Sequence, residues 1–95
     1  MVTGLNHYNL VADRQLPDEL RTFYITIVGL EPGPRPLFKR FGYWLYAGQP
    51  DVLHLTEALP NEERGRNVGS TFDHVAFTCM DLASATGRLE AHGVP

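Results

Sequence analysis

Between Leu5 and Val11 the side chains alternate with a period of two, which places Leu5, His7, Asn9 and Val11 on one face and Tyr8 and Leu10 on the other. This is the pattern of a strand with a histidine in the middle of its polar face. After Asp13 the period lengthens. Leu16, Leu20, Phe23, Tyr24, Ile27 and Val28 recur at helical spacing, Pro17 suits a first turn, and Asp18 and Glu19 sit at the positive end of the helix dipole. Gly29 is the expected stop. Pro32, Pro34 and Pro36 restrict the following stretch to a short edge strand or an extended loop. Aromatic-rich Phe41–Ala47 and then Val52–Glu57 read as strands joined through Gly48, Gln49, Pro50 and Asp51, whose residue types favour a turn. The predicted order is strand, helix and three strands.

Asn61–Ser70 is polar and charged, which fits a solvated connector. Beyond it, alternation resumes with Phe72, His74, Ala76 and Thr78 on one face and Val75, Phe77 and Cys79 on the other. A second helix is predicted from an Asp81 N-cap to a stop at Gly93, with Leu82, Ala85 and Leu89 turned inward. The two starts form an internal repeat: Leu5-Asn6-His7-Tyr8-Asn9-Leu10 aligns with Phe72-Asp73-His74-Val75-Ala76-Phe77, with histidine third in each. Each predicted helix also ends in Gly, an apolar residue and soon a Pro, as Gly29-Leu30-Glu31-Pro32 and Gly93-Val94-Pro95.

Composition narrows the class of protein. With 95 residues, 43% of them hydrophobic and 20% charged, the chain is expected to form a single globular domain with a packed core. The net charge of -3 and the scatter of Lys and Arg, of which only Lys39 and Arg40 are adjacent, argue against a nucleic-acid partner. The apolar runs are only a few residues long, so no membrane role is expected. One cysteine, Cys79, and an N-terminus without signal-peptide character point to the cytoplasm.

The segments Leu5–Leu10, Phe23-Tyr24 with Gly29-Leu30-Glu31, Trp44-Leu45-Tyr46, Val52-Leu53-His54-Leu55 and Phe72–Phe77 occur in an order that resembles the vicinal-oxygen-chelate superfamily of glyoxalases, bleomycin-resistance proteins and extradiol dioxygenases. The resemblance spans nearly the whole chain. It implies an α+β fold in which residues 1–59 form a complete βαβββ module, 60–70 a connector, and 71–95 the first strand and helix of a second, incomplete module. The chain is accordingly expected to be truncated at its C-terminus, and its unpaired sheet edges are expected to favour a homodimer.

The same resemblance makes His7, His54 and His74 the expected metal ligands, from the first and last strands of one module and the first strand of the next. The fourth ligand, a Glu on the final strand of a full second module, has no counterpart. Three imidazoles suit Fe, Mn, Ni, Co or Zn better than Mg or Ca. His54 is expected to share a face with Val52 and Thr56, opposite Leu53 and Leu55. Glu57 points to the other face and is not a substitute ligand. Trp44 and Tyr46 are candidate walls for a flat substrate, and Asn9 and Thr78 are candidate hydrogen-bonding partners on the histidine faces. His92 is expected to interact with its own helix terminus, and Cys79 to pack as an inert thiol.

The function implied is a divalent-metal enzyme, a glyoxalase-like lyase or isomerase or a ring-cleaving dioxygenase, whose small substrate chelates the metal through vicinal oxygens. Where the glyoxalase ligand would be a carboxylate this chain has His54, which argues against lactoylglutathione chemistry. The alternatives are a metal-free binding protein of the bleomycin-resistance kind and an inactive fragment lacking the last ligand.

Overall fold

The alternating residues at the start of the chain become strand β1, Tyr8–Ala12, in a computed structural model that describes residues 1, 3–13, 15–62 and 74–95. The chain divides into two compact units, Met1–Pro60 and Asn61–Pro95.

In the first unit, helix α1 spans Gln15–Phe23, with Pro17 buried in its first turn. The backbone then widens into a π-helical turn over Tyr24–Val28, closed by Gly29 N–H and Leu30 N–H, which both donate to the Tyr24 carbonyl at 3.0 and 2.9 Å. Ile25, Thr26, Ile27 and Val28 are all β-branched, and a wider turn relieves the crowding that such side chains meet in a tight helix. Gly29 takes the left-handed conformation, φ 94°, that ends the turn.

Strands β2 (Glu31–Gly33), β3 (Gly42–Tyr46) and β4 (Asp51–Glu57) complete a four-stranded sheet in the order β1-β4-β3-β2. β1 runs parallel to β4, whereas β3 is antiparallel to both β4 and β2. The proline-rich segment thus takes the edge position, where a missing N–H costs no ladder bond. This α+β arrangement is the expected βαβββ order.

Leu45, Leu53 and Leu55 are fully buried beneath the helix and, with Leu30, make the core. Leu20, Tyr24, Ile25 and Val28 pack on it from the helical side. Burying each leucine contributes about 1.5–3 kcal/mol. Tyr43 fastens the helix to the sheet: its hydroxyl donates to Asp18 Oδ1 at 2.5 Å, and the Arg21 guanidinium lies 4.9 Å above its ring. Burial, reinforced by the neighbouring Tyr24, pushes the Tyr8 phenol up from its ordinary value, so it stays neutral on this apolar side.

Two details of β3 and β4 set the opposite face. Gly42 pairs with Thr56 so closely that a Cβ there would run into the Leu55 carbonyl and the Arg35 guanidinium. Gly42→Ala is therefore expected to cost about 1–3 kcal/mol, read as a lower urea midpoint at unchanged slope. The second detail is a register shift: Leu45 faces Leu53, but Tyr46 faces Asp51, so Val52 is an extra residue on β4. Val52 packs against the core, contrary to the expectation that it shares the His54 face. A bulge at Val52 resets the alternation that regular pleating would impose.

In the second unit, α2 runs Leu82–Ala91. The Asp81 carboxylate accepts from Ser84 N–H at 3.1 Å and from the Ser84 hydroxyl at 3.0 Å. Gly93, at φ 70°, closes the helix as Val94 N–H donates to the Leu89 carbonyl at 2.9 Å. His92 Nδ1 lies 2.9 Å from the Arg88 carbonyl, at the helix terminus where the sequence places it. Ala85 and Leu89 are half-buried, but Leu82 is exposed. Residues 74–79, expected as a strand, have no ladder partner among the described residues and form no strand. Phe72, Asp73 and most of the expected connector lie outside the described residues. Cys79 is exposed rather than packed.

The capping bonds hold the Asp81 carboxyl below the ordinary carboxylate range, first through the Ser84 backbone N–H and then through the Ser84 hydroxyl. The cap therefore supports α2 fully above the ordinary carboxylate value and fades as pH falls through the lowered folded value. Circular dichroism is expected to show α2 fraying over that acid range, and Asp81→Ala should remove the pH dependence.

Among the described residues no helix is long and apolar enough to cross a membrane.

Candidate functional site

Pleating turns Leu53 and Leu55 to the core and therefore His54 and Thr56 to the opposite face of β4. The ladder then gives His54 a neighbour on each side, Asn9 of β1 and Trp44 of β3. The Trp44 and His54 rings stack with centroids 4.2 Å apart and planes 5° from parallel. His7, just before β1, covers the other face of His54 at 3.8 Å and 20°. His54 is consequently sandwiched between an indole and a second imidazole, and only 12% of its side chain is exposed.

The ring is also fixed in its plane. His54 Nε2 lies 2.6 Å from Asp51 Oδ2, a contact that exists because the bulge at Val52 brings Asp51 onto the His54 side. The hydrogen bond to His54 holds the Asp51 carboxyl below the ordinary carboxylate range, an effect that desolvation opposes in part. His7 Nδ1 is 2.7 Å from Asn6 Oδ1, and Asn9 Oδ1 accepts from the Thr56 hydroxyl at 2.7 Å. Each polar group on this face is therefore oriented by a near neighbour.

His7, His54 and Asp51 each offer one ligand atom, and these atoms all lie within 4.8 Å of one another. Two imidazole nitrogens and a carboxylate oxygen are a donor set for Mn, Fe, Co, Ni or Zn. The donor set fits a divalent transition metal.

An open cleft of about 560 Å³ lies over this cluster. His7, Asn9, His54 and Thr56 form its floor, and Trp44 and Phe38 form apolar sides, with ring centroids 6.2 Å apart. The loop between β2 and β3 adds Arg35, Lys39 and Arg40.

Of the residues singled out in the sequence, His7, Asn9, Trp44 and His54 come together in this cleft. Tyr46 is not among its lining residues: its ring lies over Gly33, and its hydroxyl donates to the Pro34 carbonyl at 2.5 Å. His74 and Thr78 belong to the second unit, where both are exposed. Asp51 and the basic loop were not anticipated. Asp51 is three residues from His54, which a regular strand would place on the opposite face, and no periodic signal announces a loop side chain.

No family model and no curated protein matches the chain. Solved structures do. A glyoxalase family protein from Bacillus anthracis superposes with a TM-score of 0.67 at 23% identity, over 98% of this chain and 72% of that one. A variant of the fosfomycin resistance protein FosX from Listeria monocytogenes, complexed with Mn(II) and 1S,2S-dihydroxypropylphosphonic acid, gives a TM-score of 0.60 at 20% identity, over 100% and 73%. An integron cassette protein from the mobile metagenome of the Halifax Harbour sewage outfall gives 0.60 at 19%, over 97% and 72%. The chain has the glyoxalase-type, vicinal-oxygen-chelate fold of these structures.

Proposed function

We propose that this chain, folded as glyoxalase and fosfomycin-resistance proteins are, binds a divalent transition metal through His7, His54 and Asp51 and acts on a small substrate that chelates it through vicinal oxygens. The convergence of three donor atoms within 4.8 Å of one another carries this reading. The Mn(II) found with FosX supports it by analogy of fold. His74, the remaining ligand that the sequence resemblance implies, is retained as part of the proposal.

Such a metal, when bound, supplies a Lewis acid that stabilises developing negative charge on substrate oxygen. The chain's own residues do the rest. Before a metal is taken up, Asp51 fixes the orientation of the His54 ring through its contact with Nε2. Trp44 and Phe38 restrict water and give a flat or apolar substrate body a surface to lie on. Asn9, held by the Thr56 hydroxyl that donates to its Oδ1, presents its amide N–H donors to substrate oxygens. The homodimer expected from the sequence belongs to the same proposal: α2 buries no side chain completely, and Met80 and Leu82 are exposed.

Trp44 is the one tryptophan in the chain and stacks directly on His54, so it reports on the site. Titrating chelator-treated protein with Mn(II) is expected to quench Trp44 fluorescence and saturate at about one metal per chain, and elemental analysis of protein purified without chelator should give the same ratio. Absence of both, with a small aromatic ligand still bound, would favour a metal-free binding protein.

A further inference from the structure

The electrostatics of the cleft oppose those of the chain. The whole sequence carries a net charge of -3, yet the cleft lining contains three cations, Arg35, Lys39 and Arg40, and no carboxylate. All three lie in the loop between β2 and β3, whereas the His7, His54 and Asp51 cluster lies at the sheet. A low-dielectric concave wall of one charge sign focuses field on its occupant.

The three cations are not equivalent. Arg40 is half-buried and its Nε donates to the Glu57 carbonyl at 3.2 Å, so it braces the loop against the end of β4. Arg35 uses one NH2 donor on the Arg40 carbonyl at 3.0 Å and lies 4.8 Å above the Phe38 ring, which fixes the guanidinium plane. Its Nε is sealed from solvent without an acceptor among the described residues. A guanidinium has five N–H donors, so most of Arg35's capacity is not taken up by the protein. Lys39 is exposed and makes no hydrogen bond or ion pair among the described residues. Phe38, 54% exposed, stands between these two cations in the sequence and tilts toward Trp44. An exposed aromatic between two cations at the mouth of a cleft does not serve the core, which is built entirely on the other face of the sheet.

We propose that this loop selects small anions, holding an oxyanion head (carboxylate, phosphate or phosphonate) with Lys39 and Arg35 while an apolar body lies along Phe38 and Trp44. This names the substrate class for the cleft assigned above and rests on that reading only for the cleft's location. Charge recognition by the loop requires no metal. Arg suits an oxyanion because its planar fork matches two oxygens, whereas Lys acts as a mobile point charge.

The test uses the full chain stripped of metal by chelator, with phenyl phosphate and benzoate as anionic probes and benzamide as the neutral one. Binding is followed by Trp44 fluorescence and by amide chemical shifts. Both anions are expected to bind at least about tenfold more tightly than benzamide, the increment of one charge-assisted hydrogen bond. Lys39→Gln should remove about half of that advantage on a logarithmic scale and Lys39→Arg should preserve it. Arg35→Gln should weaken the anions further, and added salt should compress the difference. Lys39 lies on the surface, so its variants remain informative even if Arg35→Gln disturbs the loop. Equal affinity for benzamide, or an unchanged affinity in Lys39→Gln, overturns the proposal. Anion binding seen only after Mn(II) is restored would also overturn it, by moving charge recognition to the metal, yet would leave the proposed function standing. Anion binding in a protein that takes up no metal would support the loop's role alone.

Discussion

His7→Ala is expected to weaken Mn(II) binding by at least about 100-fold while leaving the fold intact. Changing groups that merely orient a ligand costs about 10–100-fold in metal affinity, and loss of a ligand exceeds that range. His7 is the informative choice because it is exposed and precedes β1, so its removal leaves the ladder and the core untouched. His54→Ala should abolish metal binding as well, but it also unstacks Trp44, and its effect on fluorescence mixes the two causes. Asp51→Asn separates the roles of the carboxylate. It keeps a hydrogen-bonding group beside His54 Nε2 but removes the charge, so binding should fall to a level between that of the parent and that of His7→Ala. Calorimetric titration of the three variants, with circular dichroism as the check on folding, decides the matter. Parent-like affinity in both His7→Ala and Asp51→Asn would eliminate this cluster as the site.

The contrast between His54 and Asp51 shows how far a sequence can be read. His54 is legible because Leu53 and Leu55 on either side must face the core, and strict alternation then turns the imidazole to the other face. Asp51 looks like a turn residue, and on a regular strand it would point away from His54. One extra residue, Val52, reverses that orientation, and a bulge has no pattern of its own in the hydrophobic periodicity. The meeting of His7 with His54 is a third case. It depends on β1 pairing in parallel with β4 across some forty residues of intervening chain, which the family resemblance implies but local periodicity cannot.

The loop cations are hidden for a different reason. Lys39 and Arg40 stand out in the sequence only as an adjacent pair, and Arg35 sits among prolines. Their common location follows from Arg35 reaching back to the Arg40 carbonyl, a loop closure that is not periodic. Tyr46 shows the converse. It alternates correctly with Trp44, but Gly33, two residues along β2 from its ladder partner Glu31, leaves a space that its ring fills, and the phenol is spent on the Pro34 carbonyl. The repeat of the His7 motif at His74 is clear in the residues, yet a strand exists only where a neighbour completes its ladder, and among the described residues 74–79 the repeated pattern forms none.

Leu53→Ala is expected to lower unfolding free energy by about 2–5 kcal/mol, because the side chain is fully buried at the centre of the sheet and no neighbour can collapse into the space without moving β4. A chain of this size has a total stability on the order of 5–14 kcal/mol, so the variant is expected to populate unfolded forms at room temperature in moderate urea. The same substitution tests whether core and site are energetically linked. Leu53 lies next to His54 on β4 and pairs with Tyr8 of β1, the strand that His7 immediately precedes. A metal that binds only the folded form returns about 2.7 kcal/mol at a hundredfold excess over its dissociation constant, comparable to the lower part of the expected loss. Mn(II) should therefore raise the urea midpoint of Leu53→Ala substantially, and it should leave that of the double variant Leu53→Ala with His7→Ala unchanged. An equal rise in both would place the stabilising ion elsewhere in the chain. No rise in either, with the parent binding Mn(II) normally, would mean that loss of the Leu53 packing also disorders the His7, His54 and Asp51 cluster, so that the donor geometry is held by the apolar core on the other side of the same strand.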